Sequence, residues 1–181
     1  MTRASMGNKL RQLRVRLGEI TRDTLPTKQP DLIAGLKTSY SHSIDLVGNP
    51  NFVNTRDDCF IHTFGDGIGT SVLNRMRELG ARDEFEGEDL YTPLIDRGFL
   101  PSLHDQRETE DQVVVYFDKE VTKHLGKMCG DRIESKWGQG HIWRHGLWEV
   151  PLSYGNTVKY SVAEVDHSVL LELLETLEKE K

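Results

Sequence analysis

A chain of 181 residues, 36% hydrophobic and 29% charged, is one ordinary globular domain, long enough to bury roughly 70% of its unfolded surface without a disulfide or metal staple. The net charge of −6 argues against a general nucleic-acid binder. No window approaches the roughly 18 apolar residues of a membrane-spanning helix, and three Trp, five Tyr and six Phe argue against disorder.

Leu10, Leu13, Leu17 and Ile20 repeat at helical spacing, with arginines on the opposite face. Residues 25–57 hold Pro26, Pro30, Gly48 and Pro50, which predicts loop with a short helical piece over Asp31–Leu36. Residues 1–50 therefore read as a helical arm and linker. Cys59–Phe64 forms an apolar turn ending at Gly65, and Ile68, Val72 and Met76 continue the helical period. Glu88–Arg97 reads as another short helix.

The second half reads as strands: Val113–Phe117, Val121–Cys129 and Arg132–Trp137, the last two joined by a tight Gly130-Asp131 hairpin, then Ile142–Val150 and Thr157–Val162. Leu170, Leu171, Leu173, Leu174 and Leu177 give an amphipathic helix over 163–181. Its Leu170–Leu177 stripe is a candidate surface for a protein partner or self-association. Helices first and consecutive strands afterwards predict an α+β core over residues 51–162, an antiparallel sheet of about five strands covered by helices.

Two cysteines, Cys59 and Cys129, are too few for a disulfide scaffold. The first ten residues lack the apolar stretch of a secretion signal. A reducing cytoplasm is the expected address, where a thiol stays reactive. Cys59 follows the polar loop Asn54-Thr-Arg-Asp-Asp58 and opens a helix. Unpaired backbone N–H groups and the helix dipole stabilise a thiolate there, and the same groups suit an oxyanion. Asp57 and Asp58 oppose this electrostatically, although either caps the helix. A thiol nucleophile needs a base and an orienting group. His124 lies in a predicted strand, where alternation places Thr122, His124 and Gly126 on one face. Gly126 would leave backbone room for a substrate.

Asp58-Cys59-Phe-Ile-His-Thr-Phe-Gly65 resembles the nucleophile helix of the NlpC-like branch of papain-like cysteine peptidases and amidases. His124-Leu-Gly-Lys-Met-Cys-Gly130, followed by Arg132-Ile-Glu-Ser-Lys136, is similar to that branch's catalytic-histidine strand, turn and next strand. The run Ser135-Lys-Trp-Gly138, His145 and Pro151-Leu-Ser-Tyr-Gly155 resembles a poorly characterised subgroup of such domains. The resemblance implies a papain-like α+β fold with a nucleophile-bearing helix, Cys59 as nucleophile and His124 as general base. The third polar member would fall at Glu134, Ser135 or Lys136. Lysine cannot accept the imidazole N–H, which leaves Glu134 and Ser135.

Trp137, Trp143 and Trp148 crowd the region after the hairpin; Trp137 and His145 either flank a substrate cleft or belong to the core. Cys59-x2-His62 and His141-x3-His145 have spacings compatible with zinc, but coincidence is common among seven His, and no metal or cofactor is expected. The leading expectation is a thiol-dependent hydrolase that cleaves an amide or peptide bond, with a peptide or peptidoglycan-like substrate and no membrane or nucleic-acid partner. The alternative is a catalytically inactive papain-like domain that acts as an interaction module.

Overall fold

The computed structural model describes residues 7–55, 57–80 and 88–179. Its centre is an open, six-stranded, wholly antiparallel sheet in the order β1-β5-β4-β3-β2-β6. The strands are β1 (Asp45–Val47), β2 (Val113–Asp118), β3 (Val121–Cys129), β4 (Arg132–Lys136), β5 (Ile142–His145) and β6 (Thr157–Ser161). The expected α+β class and antiparallel sheet are present, with one strand more than read from the sequence. That strand, β1, has three residues and pairs with β5, inside the stretch that its proline and glycine content marks as loop. Among the described residues no helix is long and apolar enough to cross a membrane.

Alternation along the strands divides the core into two layers, one on each face of the sheet. Val113, Val115, Phe117 and Leu125 point to one face. There they meet α3 (Cys59–Phe64), α4 (Thr70–Gly80), α5 (Glu88–Asp96) and α6 (His167–Lys179) through Phe60, Phe64, Met76, Tyr91, Leu94, Leu170, Leu173 and Leu174. Val114, Tyr116, Ile133, Trp137 and Trp143 point to the other face. Leu13, Leu17 and Ile20 of α1 (Asn8–Asp23) and Ile33 of α2 (Gln29–Gly35) cover them.

The segment read as an arm is therefore half of the core. Helix α1 seals the second face, and β1 is an edge strand of the sheet; the first six residues of that segment lie outside the described part. Three of the C-terminal leucines are likewise core, while Leu171 is exposed. Leu170, Leu173 and Leu174 are at most 4% exposed, so the helix that was expected to offer them to a partner buries them against its own sheet; the side chain of Leu177 lies outside the described residues. Burial of each such side chain contributes about 2 kcal/mol, which a solvated stripe would forgo.

Arg14 locks α1 down. It lies between Leu13 and Leu17 on the helix's buried face and is wholly buried. Its guanidinium donates to the carbonyls of Val150 at 3.1 Å, Pro151 at 3.4 Å and Gly155, and sits 5.5 Å from the centre of the Trp148 ring. The planar fork reaches several carbonyls at once, which a lysine cannot do.

Candidate functional site

Cys59 is the first residue of α3. Asp58 caps the helix through Oδ1, which accepts the Ile61 N–H at 2.9 Å, and its Oδ2 accepts the Tyr91 hydroxyl proton. The Cys59 sulfur points into the sheet, where its own N–H and the Leu125 N–H face it as donors, beside the Tyr91 oxygen. These donors favour thiolate, but burial outweighs them, Asp58 adds repulsion, and together they push the thiol up to about 12. At neutral pH the group is a protonated, 8% exposed thiol, a poor nucleophile in this arrangement.

His124 does not join it. In β3, Leu125 faces Cys59 and the α3 layer, so its neighbour His124 projects to the opposite face. It pairs there with Tyr116 of the α1 layer. The imidazole is 1% exposed, stacks on Tyr154 with ring centres 3.9 Å apart, and leaves Nε2 without a hydrogen-bond partner. Burial holds it well below the usual imidazole range, and His145 and His62 lower it further. The expected Cys59–His124 couple is thus not formed, because adjacent strand residues point to opposite faces and Leu125 occupies the position facing the thiol. Thr122 does not share the His124 face either: a bulge between Tyr116 and Phe117 pairs it with Phe117. The space expected beside Gly126 is filled, since a Cβ there would stand 2.6 Å from Ile133 Cγ2 and 3.0 Å from Ser135 Cβ.

The orienting candidates part in the same way. Ser135 lies on the His124 face but bonds His145, its Oγ 2.8 Å from Nε2. His145 Nδ1 donates to the Gly146 carbonyl at 2.9 Å, so Nε2 is the acceptor and the Ser135 hydroxyl the donor. Trp137 Nε1 donates to the same Oγ at 3.1 Å. Glu134 lies on the Cys59 face but holds Arg144 at 2.7 Å. Trp137 and His145, read as candidate substrate contacts, are both wholly buried and belong to the core reading of those residues. The four residues with zinc-like spacing do not converge, for His145 belongs to this buried network while Cys59 faces the other side of the sheet.

An open groove of about 200 Å³ lies beside α3, lined by Val47, Phe52, Asp57, His62, Lys136 and His141 among others. Phe52 is 72% exposed at this site. Asp57 accepts the Asn54 amide at 2.5 Å, Lys136 donates to the Gly140 carbonyl, and His141 Nε2 donates to the Pro26 carbonyl at 3.0 Å. His62 Nε2 has no partner. Burial lowers the affinity of His62 for a proton, and Lys127 lowers it further; burial also lowers Lys136, although Asp57 and Asp58 oppose that shift. No motif marks this groove, because its walls come from β1, residues 48–54 and 57, and the β4–β5 connection, which meet only through the sheet order. Tyr91 was also unread, lying 32 residues from Cys59 in a separate helix.

Taken together, the molecule is an α+β domain with an open antiparallel sheet, a buried thiol on one face and a buried histidine layer on the other. No family model, curated protein or solved structure matches the chain.

Proposed function

We propose that this chain is a papain-like domain of the NlpC-like branch that works as a binding module, with the groove beside α3 as its ligand site. The order of its motifs and the cysteine-opened helix packed on an antiparallel sheet support the papain-like plan. One observation carries the non-catalytic reading: Cys59 and His124 stand on opposite faces of the sheet. Without an adjacent base, a thiol pushed up by burial does not attack an amide. The groove provides an apolar wall at Val47, Phe52 and Ile142, with His62 and Lys136 beside it, and its size suits a short segment of peptide rather than a folded partner.

The test follows alkylation of Cys59 and Cys129 separately by mass spectrometry, from about pH 4 to pH 9, in the wild type and in His124→Ala. Cys59 should react more slowly than the exposed Cys129 throughout, and the substitution should leave its rate unchanged. In parallel, an acidic peptidoglycan-type stem tetrapeptide should shift the NMR signals of His62 and Lys136, and His62→Ala should weaken binding about fivefold. Absence of any shift at millimolar peptide sinks the groove assignment.

A second reading, thiol-dependent hydrolysis, draws on the two backbone N–H groups, of Cys59 and Leu125, that face the Cys59 sulfur, a pair that would also hold an oxyanion. It would gain the upper hand if Cys59 proved the faster thiol below neutral pH and His124→Ala removed that advantage.

A further inference from the structure

The α1 face of the sheet carries a layer of groups that the groove does not use: His124, Tyr116, Tyr154, the Ser135–His145–Trp137 network and Arg14. We propose that this layer is an acid-operated latch, in which protonation of His124 releases the Leu152–Tyr154 turn and, with it, helix α1 from the sheet. Three geometric features carry it.

His124 is sealed in. Its Nε2 is buried without a partner, so a proton added there would have no acceptor. The groups around it offer no compensation. Tyr116 of β2 stands 5.7 Å away between ring centres, Tyr154 stacks on it from the turn, His145 acts on it from β5, and His62 acts on it from α3. Lys123 is its neighbour on β3, and α1 brings the Arg14 guanidinium into the same layer. Among the described residues, the carboxylate that acts on His145 is that of Glu149, together with Arg132. It is held by the Ser43 N–H at 2.8 Å and the Gly146 N–H at 2.9 Å. Among the described residues no carboxylate acts on His124. An imidazolium in this layer must therefore reach water, since a buried unpaired charge is costly.

The easiest way out is also defined. The ring opposite His124 belongs to Tyr154, in a turn of three residues whose Ser153 is exposed. Arg14 grips the carbonyls at both ends of that turn, those of Pro151 and Gly155. Displacing Tyr154 withdraws two of the three carbonyls that Arg14 of α1 holds, leaving that of Val150, whereas β3 itself is paired on both sides. The turn and α1 should therefore leave together while β2, β3 and β4 remain paired.

Amide hydrogen exchange of the full chain, read by mass spectrometry at steps from about pH 7 to about pH 5 and corrected for intrinsic exchange, tests this directly. Protection over α1 and residues 151–155 should fall about tenfold or more, reversibly, before that of β2–β4 changes. His124→Phe, which keeps an aromatic ring on Tyr154 and cannot take a proton, should move this loss at least about one pH unit lower. The proposal is overturned if the variant opens at the wild-type pH, or if α1 and the central strands lose protection together. Should His124→Phe fail to fold, the imidazole titration of His124 followed by NMR in the wild type decides. Titration coincident with α1 opening supports the latch, and titration while α1 stays protected overturns it. This test is independent of the groove reading, because no residue of the groove is altered.

Discussion

Gly155 shows how much one residue can decide. Its backbone is at φ 100° and ψ −178°, a region that is essentially restricted to glycine. A Cβ there would sit 2.1 Å from the Phe117 carbonyl oxygen and 2.7 Å from the Asp118 nitrogen, both backbone atoms of a central strand. The glycine thus lets the chain turn tightly over β2, placing Tyr154 on His124 and presenting the carbonyl that Arg14 takes. Gly155→Ala should cost roughly 3 kcal/mol or more, measured as a lower urea midpoint at unchanged slope. The tyrosine-glycine pair was legible in the sequence as a motif, but its work in this structure is packing. The same holds for His124, whose strand was read with its correct boundaries. What decides the role of His124 is which way it points, and a period of two makes that a question of one residue.

At the scale of elements, apolar periodicity located α1, α4, α6 and the strands β2, β3, β4 and β6 within a few residues, because each carries its own packing pattern. The pattern failed where burial depends on distant partners. Strand β1 is too short to show alternation, and it becomes a strand only because β5 offers it a free edge. The spacing sets arginines on the face of α1 opposite its leucines, yet Arg14 follows Leu10 by four residues and precedes Leu17 by three, so it falls on the buried stripe. An arginine at such a position signals a partner elsewhere in the chain, here the carbonyls of residues 150–155. Replacing it with methionine preserves bulk and removes every donor. Arg14→Met should destabilise the protein by about 2–4 kcal/mol by chemical denaturation, since it strands buried carbonyls. Arg14→Lys should recover little of that loss, because one ammonium cannot span the same acceptors.

At the scale of the molecule, the sheet is a partition. The motifs that suggested a single catalytic cluster are distributed across it, with Cys59, Glu134 and Lys136 on the α3 side and His124, Ser135, Trp137 and His145 on the α1 side. Sequence order could not reveal this, since strand registers and helix placement sort residues to faces only after the sheet has assembled. The partition has a consequence for the whole fold's response to pH. Burial pulls His42, His62, His124, His141 and His145 all below the ordinary imidazole value, so folding favours their neutral forms. For such groups the unfolded chain binds protons first. Their contribution to stability is complete above the unfolded value of about 6.5 and is lost as the pH falls from there toward the folded value. His145, wholly buried and at about 4, alone accounts for about 3 kcal/mol of that loss by pH 4. His104 has the opposite sign: the Ser102 carbonyl, first, and Asp111 raise it, so it favours the folded state as it protonates. Its partly exposed position makes its share small beside the five together, of which His124, His141 and His145 are buried. Urea unfolding at intervals from pH 7.5 down to about pH 4.5 should therefore show stability declining steadily below about pH 6.5, and His145→Gln should flatten that decline while lowering stability at neutral pH. A profile that stays level through this range would mean that these imidazoles are hydrated in solution, and that the two layers do not close over them as described.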